Sequence, residues 1–150
     1  MRKPFSFFII AIALSLVACK SADNKVPEIA ADVCNCFSDI EKNFSKETKA
    51  LLAKAANDSN PQKVLKEEIV KLDQEDQMAI GQELMSLGEL GDEKSDMGRC
   101  MKGVEKKYGN NFTRDKKILG NKIVQELESK NGCGFTASIM KLGLKMENKK

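Results

Sequence analysis

Residues 27–44 read Pro27-Glu28-Ile29-Ala30-Ala31-Asp32-Val33-Cys34-Asn35-Cys36-Phe37-Ser38-Asp39-Ile40-Glu41-Lys42-Asn43-Phe44. Ile29, Val33, Cys36, Ile40 and Phe44 recur at spacings of four, three, four and four, which is one apolar stripe of a helix. Pro27 suits the first turn, where its missing N–H costs nothing. Two residues apart on such a helix, Cys34 and Cys36 point about 200° from one another. Cys36 lies at the centre of the stripe and Cys34 on its flank, so each thiol faces a different neighbour.

Outward from this segment the pattern stays helical. Ser45 is an N-cap for a short second helix with Leu51, Leu52 and Ala55. Asn57-Asp58-Ser59-Asn60 is a loop, and Asn60-Pro61 reads as N-cap and first turn of a third helix. That helix extends towards Leu90 with Leu65, Ile69 and Leu72 on one stripe and Ile80, Leu84 and Leu87 on another. Asp73 between them is a candidate cap, and therefore a kink or break. Gly88 and Gly91 mark its exit.

A fourth helix from near Asp92 carries Met97, Met101, Val104 and Tyr108 and ends at Gly109-Asn110-Asn111. Thr113 caps a fifth with Leu119, Ile123, Val124 and Leu127, which stops at Asn131-Gly132. The last helix has Phe135, Ile139, Leu142 and Met146, with Lys141, Lys145, Lys149 and Lys150 suited to the negative end of its dipole. Nothing alternates with period two over a useful length. The expected fold is all-α, a five- or six-helix bundle.

Four cysteines stand in this helical region: Cys34, Cys36, Cys100 and Cys133. An even number in a small exported domain reads as two disulfides. Four thiols allow three pairings, and the opposed directions of Cys34 and Cys36 argue against joining those two. Of the remaining pairings, Cys36–Cys100 with Cys34–Cys133 is favoured, because Cys133 begins a helix and can reach a flank. In the chain-entropy view each bridge stabilises by about 4 kcal/mol. Zinc is disfavoured, since a Cys-Asn-Cys on a helix does not converge on one ion. Neither Cys-x-x-Cys nor Cys-x-x-Cys-His, the redox and haem patterns, is present.

The N-terminus supplies the export argument. Met1-Arg2-Lys3 is a positive start, and Pro4 to Ala18 is an uncharged, mostly apolar run. It is shorter than the roughly 20 residues a membrane-spanning helix needs, so residues 1–18 read as a signal peptide. Leu16-Val17-Ala18-Cys19 places a bulky Leu where an ordinary signal peptidase wants a small residue. This sequence resembles the lipobox of bacterial lipoproteins. The resemblance implies cleavage before Cys19 and lipidation of its thiol. Two or more acyl chains make a stable anchor, so the mature chain would ride on a membrane leaflet. Residues 19–26 would be a tether and 27–150 the helical domain. Lys20, where an Asp would retain the protein at the inner membrane, favours the outer membrane, facing the periplasm.

Val33-Cys34-Asn35-Cys36, Arg99-Cys100-Met101 followed by Lys107-Tyr108, and a late Cys133 together resemble a group of small helical exported proteins of Bacteroidota. That resemblance implies fold and compartment, not a mechanism.

Composition narrows function. The chain has no His and no Trp, and one Tyr. Absent His removes the commonest general acid–base group and metal ligand, so an enzyme is not expected. Residues 19–98 hold 10 basic and 17 acidic groups, whereas residues 99–150 hold 13 and 5. Overall near-neutrality argues against a nucleic-acid binder. The asymmetry fits halves that complement each other; it also offers an anionic surface or envelope protein a basic C-terminal half. Lys106, Lys107, Arg114, Lys116 and Lys117 are the densest part of it. Met78, Met85, Met97, Met101, Met140 and Met146 have the helical spacing of core residues rather than of a copper surface. Glu67, Glu68, Asp73, Glu75 and Asp76 lack the Gly and terminal Glu of a calcium loop and read as solvated.

The expected protein is thus a lipid-anchored cell-envelope protein with a non-catalytic binding or structural role and no cofactor. The alternative is a small-ligand or metal-ion carrier with a pocket between helices.

Overall fold

The computed structural model describes residues 22–89, 92–112 and 116–147. A 3-10 turn at Ala22–Lys25 leads into α1 (Val26–Glu41), so part of the expected tether is ordered. There follow α2 (Lys46–Asn57), α3 (Pro61–Ile69), α4 (Gln74–Glu89), α5 (Asp96–Phe112), α6 (Lys116–Ser129) and α7 (Gly134–Glu147). The described residues contain no strand, in keeping with the all-α expectation. The expected count of five or six helices is corrected to seven among the described residues. The extra helix comes from the third segment, which breaks between Val70 and Asp73. There the Asp73 carboxylate accepts the Asp76 N–H at 2.9 Å, and Gln77 Nε2 donates to the Leu72 carbonyl at 2.8 Å. A short acid that bonds its own backbone competes with helix continuation and starts a new helix instead.

Other ends follow their local chemistry. Ser45 caps α2 by accepting the Thr48 N–H at 3.1 Å, and Asn60 caps α3 through Lys63 N–H at 3.4 Å. α5 begins at Asp96, later than its first acid, because residues 92–95 form a turn held by Lys94 N–H on Asp92 Oδ1 at 2.8 Å. A side chain at Gly98 would fall on the Asp92 carbonyl, so only Gly lets this turn fold back on the helix. The helix also runs through Gly109 to Phe112, past the expected stop. Gly132 adopts φ 84°, the left-handed conformation with which helices commonly end. Thr113, the expected cap of the next helix, lies outside the described residues.

α1 packs on α5, α6 and α7, while α2 packs on α7, α3 and α4. Its stripe is buried as Ile29, Val33, Cys36 and Phe37, with Ile40 half-buried at the end. Opposite lie Val104 and Tyr108 from α5, Ile123 and Leu127 from α6, and Phe135 and Leu142 from α7. Phe135 meets Phe37 edge-on, ring centroids 6.5 Å apart, and Phe44 at 5.1 Å. These rings join the C-terminal half of the first segment to the last helix.

Both disulfides leave α1. Cys34 is bonded to Cys133 and Cys36 to Cys100, each with Cα atoms 5.6 Å apart. This is the pairing favoured from helix geometry. The bridges join positions 99 and 64 residues apart in the chain. Replacing Cys36 and Cys100 by Ser should lower unfolding stability by about 2–5 kcal/mol. Denaturant titration of the variant beside the parent checks this, and an unchanged midpoint would remove the bridge from the stability account.

Candidate functional site

An acid that α1 places next to its apolar stripe builds a polar cluster across helices. Asp32 precedes Val33 and turns towards α5. Its Oδ2 accepts the Lys107 ammonium at 2.8 Å and the Tyr108 hydroxyl at 2.9 Å. Tyr108 is only 2% exposed, so its ring fills the core while its hydroxyl reaches out to the carboxylate. Lys107 Nζ stands 4.9 Å from the Tyr108 ring centroid and Lys25 Nζ 5.9 Å, both within cation–π reach. Three elements therefore meet on one tyrosine: the 3-10 turn, α1 and α5.

The electrostatics are those of a latch. Hydrogen bonds from Lys107 and then Tyr108 hold the Asp32 carboxyl below its ordinary pKa, against a smaller opposing effect of desolvation. The same carboxylate raises the Lys107 ammonium above its usual value. An Asp held below its ordinary pKa is only a weak base, and a Lys held above its own supplies no neutral amine at neutral pH. What the cluster does is fix α5 against α1, four residues from Cys36 on α1 and seven to eight from Cys100 on α5.

A second carboxylate acts across helices. Glu83 on α4 accepts the Ser45 N–H at 3.0 Å and the Ser45 hydroxyl at 2.9 Å, closing the N-terminus of α2 from outside. Burial pushes Glu83 upward, but hydrogen bonds from Thr48 and Ser45 outweigh it and the net shift is downward. The other end of α2 is closed by lysines. Lys145 Nζ donates to the carbonyls of Ala56 at 2.7 Å and Asp58 at 2.6 Å, and Lys141 Nζ to Asn57 Oδ1 and Glu128 Oε1 at 2.8 Å each. These two lysines were expected to serve the dipole of their own helix. Lys145, in the last turn of α7, also serves that of α2, since α7 packs beside it, while Lys141 bonds side chains of α2 and α6.

The sequence-derived candidates distribute as follows. Cys34, Cys36, Cys100 and Cys133 all lie in disulfides, so their sulfurs are occupied. Cys19 and residues 1–18 lie outside the described residues, as do Arg114 and the side chain of Lys116. Lys106, Lys107 and Lys117 are exposed, and Lys107 is paired with Asp32. In the acidic group, Glu68 binds Lys54 at 2.7 Å and pairs with Lys71, which together lower it to about 2; Glu67 pairs with Lys63 at 3.6 Å. Among the described residues no three His, Cys, Asp or Glu side chains converge as a metal site.

The methionine reading needs correction. Met97, Met101 and Met140 pack against the core, but Met78, Met85 and Met146 are exposed, Met85 by 75%. Met78 and Met85 lie two turns apart on one face of α4, whose opposite side carries the buried Ile80 and the half-buried Leu84. Val70, next to α3, is also exposed, beside an open groove lined by Lys63, Lys66, Glu67 and Lys71. Sequence reasoning missed Asp32 and Glu83. No motif marks either, although an acid directly flanking the stripe at Asp32 is a usable hint.

No protein-family model, curated protein or solved structure matches the chain.

Two measurements check the latch. Tyr108→Phe removes one donor and should cost about 1 kcal/mol, whereas Asp32→Ala strands a buried hydroxyl and should cost more, about 1–3 kcal/mol. Equal effects in urea titration would contradict the buried hydrogen bond. Because Asp32, Glu68 and Glu83 are all depressed in the folded chain, their stabilisation is complete above the unfolded carboxylate range near pH 4.3. It is lost as pH falls through the folded values, down to about 2 for Glu68. A urea midpoint that does not fall between pH 5 and pH 3 would contradict these assignments.

Proposed function

We propose that this chain is a lipid-anchored protein of the bacterial cell envelope, whose helical domain has a binding or structural role without catalysis. The observation that carries the reading is the pair of disulfides from Cys34 and Cys36 to Cys133 and Cys100. Such cross-links persist in oxidising compartments and are rare where thiols are kept reduced. The compartment they favour is the one to which the signal-like residues 1–18 and the Leu-Val-Ala-Cys run at 16–19 would deliver the chain.

Residues 1–18 serve as the export signal in this reading, and Cys19 becomes the acylated N-terminus. Lys20 favours the outer membrane, with the domain in the periplasm. The helical core holds the chain in one shape, and its exposed side chains Val70, Met78 and Met85 are available to another envelope component. Methionine suits such a surface because its unbranched thioether adapts to varied partners. No described helix is long and apolar enough to cross a membrane.

Intact mass of the membrane-extracted protein, before and after reduction and alkylation, tests the reading. The expected mass begins at Cys19, includes acyl chains, and gains four alkyl groups only after reduction. An unprocessed N-terminus, or a soluble product beginning elsewhere, would overturn the anchor and the compartment together.

A further inference from the structure

Only Lys20 and Ser21 stand between Cys19 and the turn that begins at Ala22. Three residue steps reach at most about 11 Å when fully extended. The turn Ala22–Lys25 adds about 8 Å at the short rise of a 3-10 helix. α1 alone, with 16 residues, is about 24 Å long. A lipid on Cys19 is thus tied by a strap shorter than the helix it holds, and it delivers one end of the bundle to the headgroups.

Which side chains that end presents follows from the packing. Cys36 is bonded to Cys100, while Asp32 holds Lys107 and Tyr108, so α5 runs antiparallel to α1. The last turns of α5 therefore lie beside the first turns of α1. Lys25 and Lys107 stand over the Tyr108 ring there, with Lys106 exposed next to them. From the end of α6, Lys130 Nζ reaches the Pro27 carbonyl at 3.4 Å. The acids nearby are Asp32 and Glu126, paired with Lys107 and Lys130, and the exposed Glu28 and Glu105. A lysine can keep its stem on the protein while its ammonium extends to a phosphate. At the opposite end, the turn before α5 presents Asp92, Glu93 and Asp96 beside Lys94, with Glu93 paired to Lys102, Asp96 to Arg99, and Asp39 near the end of α1 to Lys42.

The geometry points to one membrane-facing surface: the end formed by the first turns of α1, the last turns of α5 and Lys130 rests on the leaflet, its Lys25, Lys106, Lys107 and Lys130 meeting lipid phosphates. The turn at 92–96 then faces away from the membrane. This orientation rests on the acylation of Cys19 proposed above. The strap supplies the proximity; because Asp32, Glu126, Glu28 and Glu105 balance the four lysines, the ammonium groups act as short-range phosphate contacts and not as a net attracting charge.

The test is photolabelling of the full lipoprotein in vesicles of phosphatidylcholine and phosphatidylglycerol, doped with a phospholipid bearing a diazirine in its headgroup. Peptide mapping after irradiation should show adducts several-fold enriched around Lys25, Lys106–Lys107 and Lys130 over those around Lys46–Lys54 and Asp92–Asp96. Equal labelling of both ends, or labelling concentrated on Met78 and Met85 or on the 92–96 turn, overturns the orientation. Intact mass of the same sample separates the two claims. An acylated chain labelled on the wrong surface removes only the orientation, whereas a chain without acyl mass on Cys19 removes the anchor and the orientation with it.

Discussion

Two covalent bridges leave α1 in different directions, one to the end of the α6–α7 connection and one to α5, and the remaining structure is arranged around that constraint. The core they hold is made largely of Ile, Val, Leu and Ala, with three phenylalanines and one tyrosine. Such a core stabilises a small domain only modestly against the entropy of ordering its chain. Bridges between positions 64 and 99 residues apart act on the other side of that balance, by restricting the unfolded ensemble. They also determine which helices must be neighbours. α5 has α1 as its main contact, and the bridge together with the Asp32–Tyr108 bond holds it there.

The charge asymmetry of the chain finds much of its purpose inside the fold. Lys107, Lys130, Lys141 and Lys145 from the basic half reach Asp32, the Pro27 carbonyl, Asn57 and the last carbonyls of α2 in the acidic half. Ammonium groups at a helix C-terminus and a carboxylate at an N-terminus both complement the helix dipole. α2 receives one of each, Glu83 at its start and Lys145 at its end. Exposed ion pairs such as Lys42–Asp39 contribute little by comparison. α3 and α4 have neither a bridge nor a large buried face; they depend on α2 and on the Glu83 contact.

Much of this was legible in the sequence because it is local. The apolar stripe of α1 gives its helix and its buried face, and the two-residue offset of Cys34 and Cys36 gives two directions for two bridges. Ser45, Asn60-Pro61 and Asn131-Gly132 mark helix ends through bonds made within a turn. The break at 70–73 was visible as a competing cap at Asp73, but whether the helix continues or stops depends on packing that no local rule contains. Glu83, Lys141 and Lys145 act on a helix far from them in the chain, so their roles exist only once α4 and α7 lie against α2. Met78 and Met85 have core spacing on a helix that has too little core to face. Periodicity says that a helix has an apolar side, and tertiary structure decides which apolar groups are covered.

The role proposed for the protein draws on the same physics: a cross-linked helical body that a short strap would hold at a membrane surface. The account stands on α1 being the most constrained element and on α3–α4 being the least. Native-state hydrogen exchange of the oxidised protein measures this directly. Amides of 29–37 should exchange slowest, at the rate set by global unfolding, while those of 64–69 and 77–87 open earlier in a separate, smaller step. Protection in α4 equal to that in α1 would contradict the account, because the bridges would then not define the stable unit.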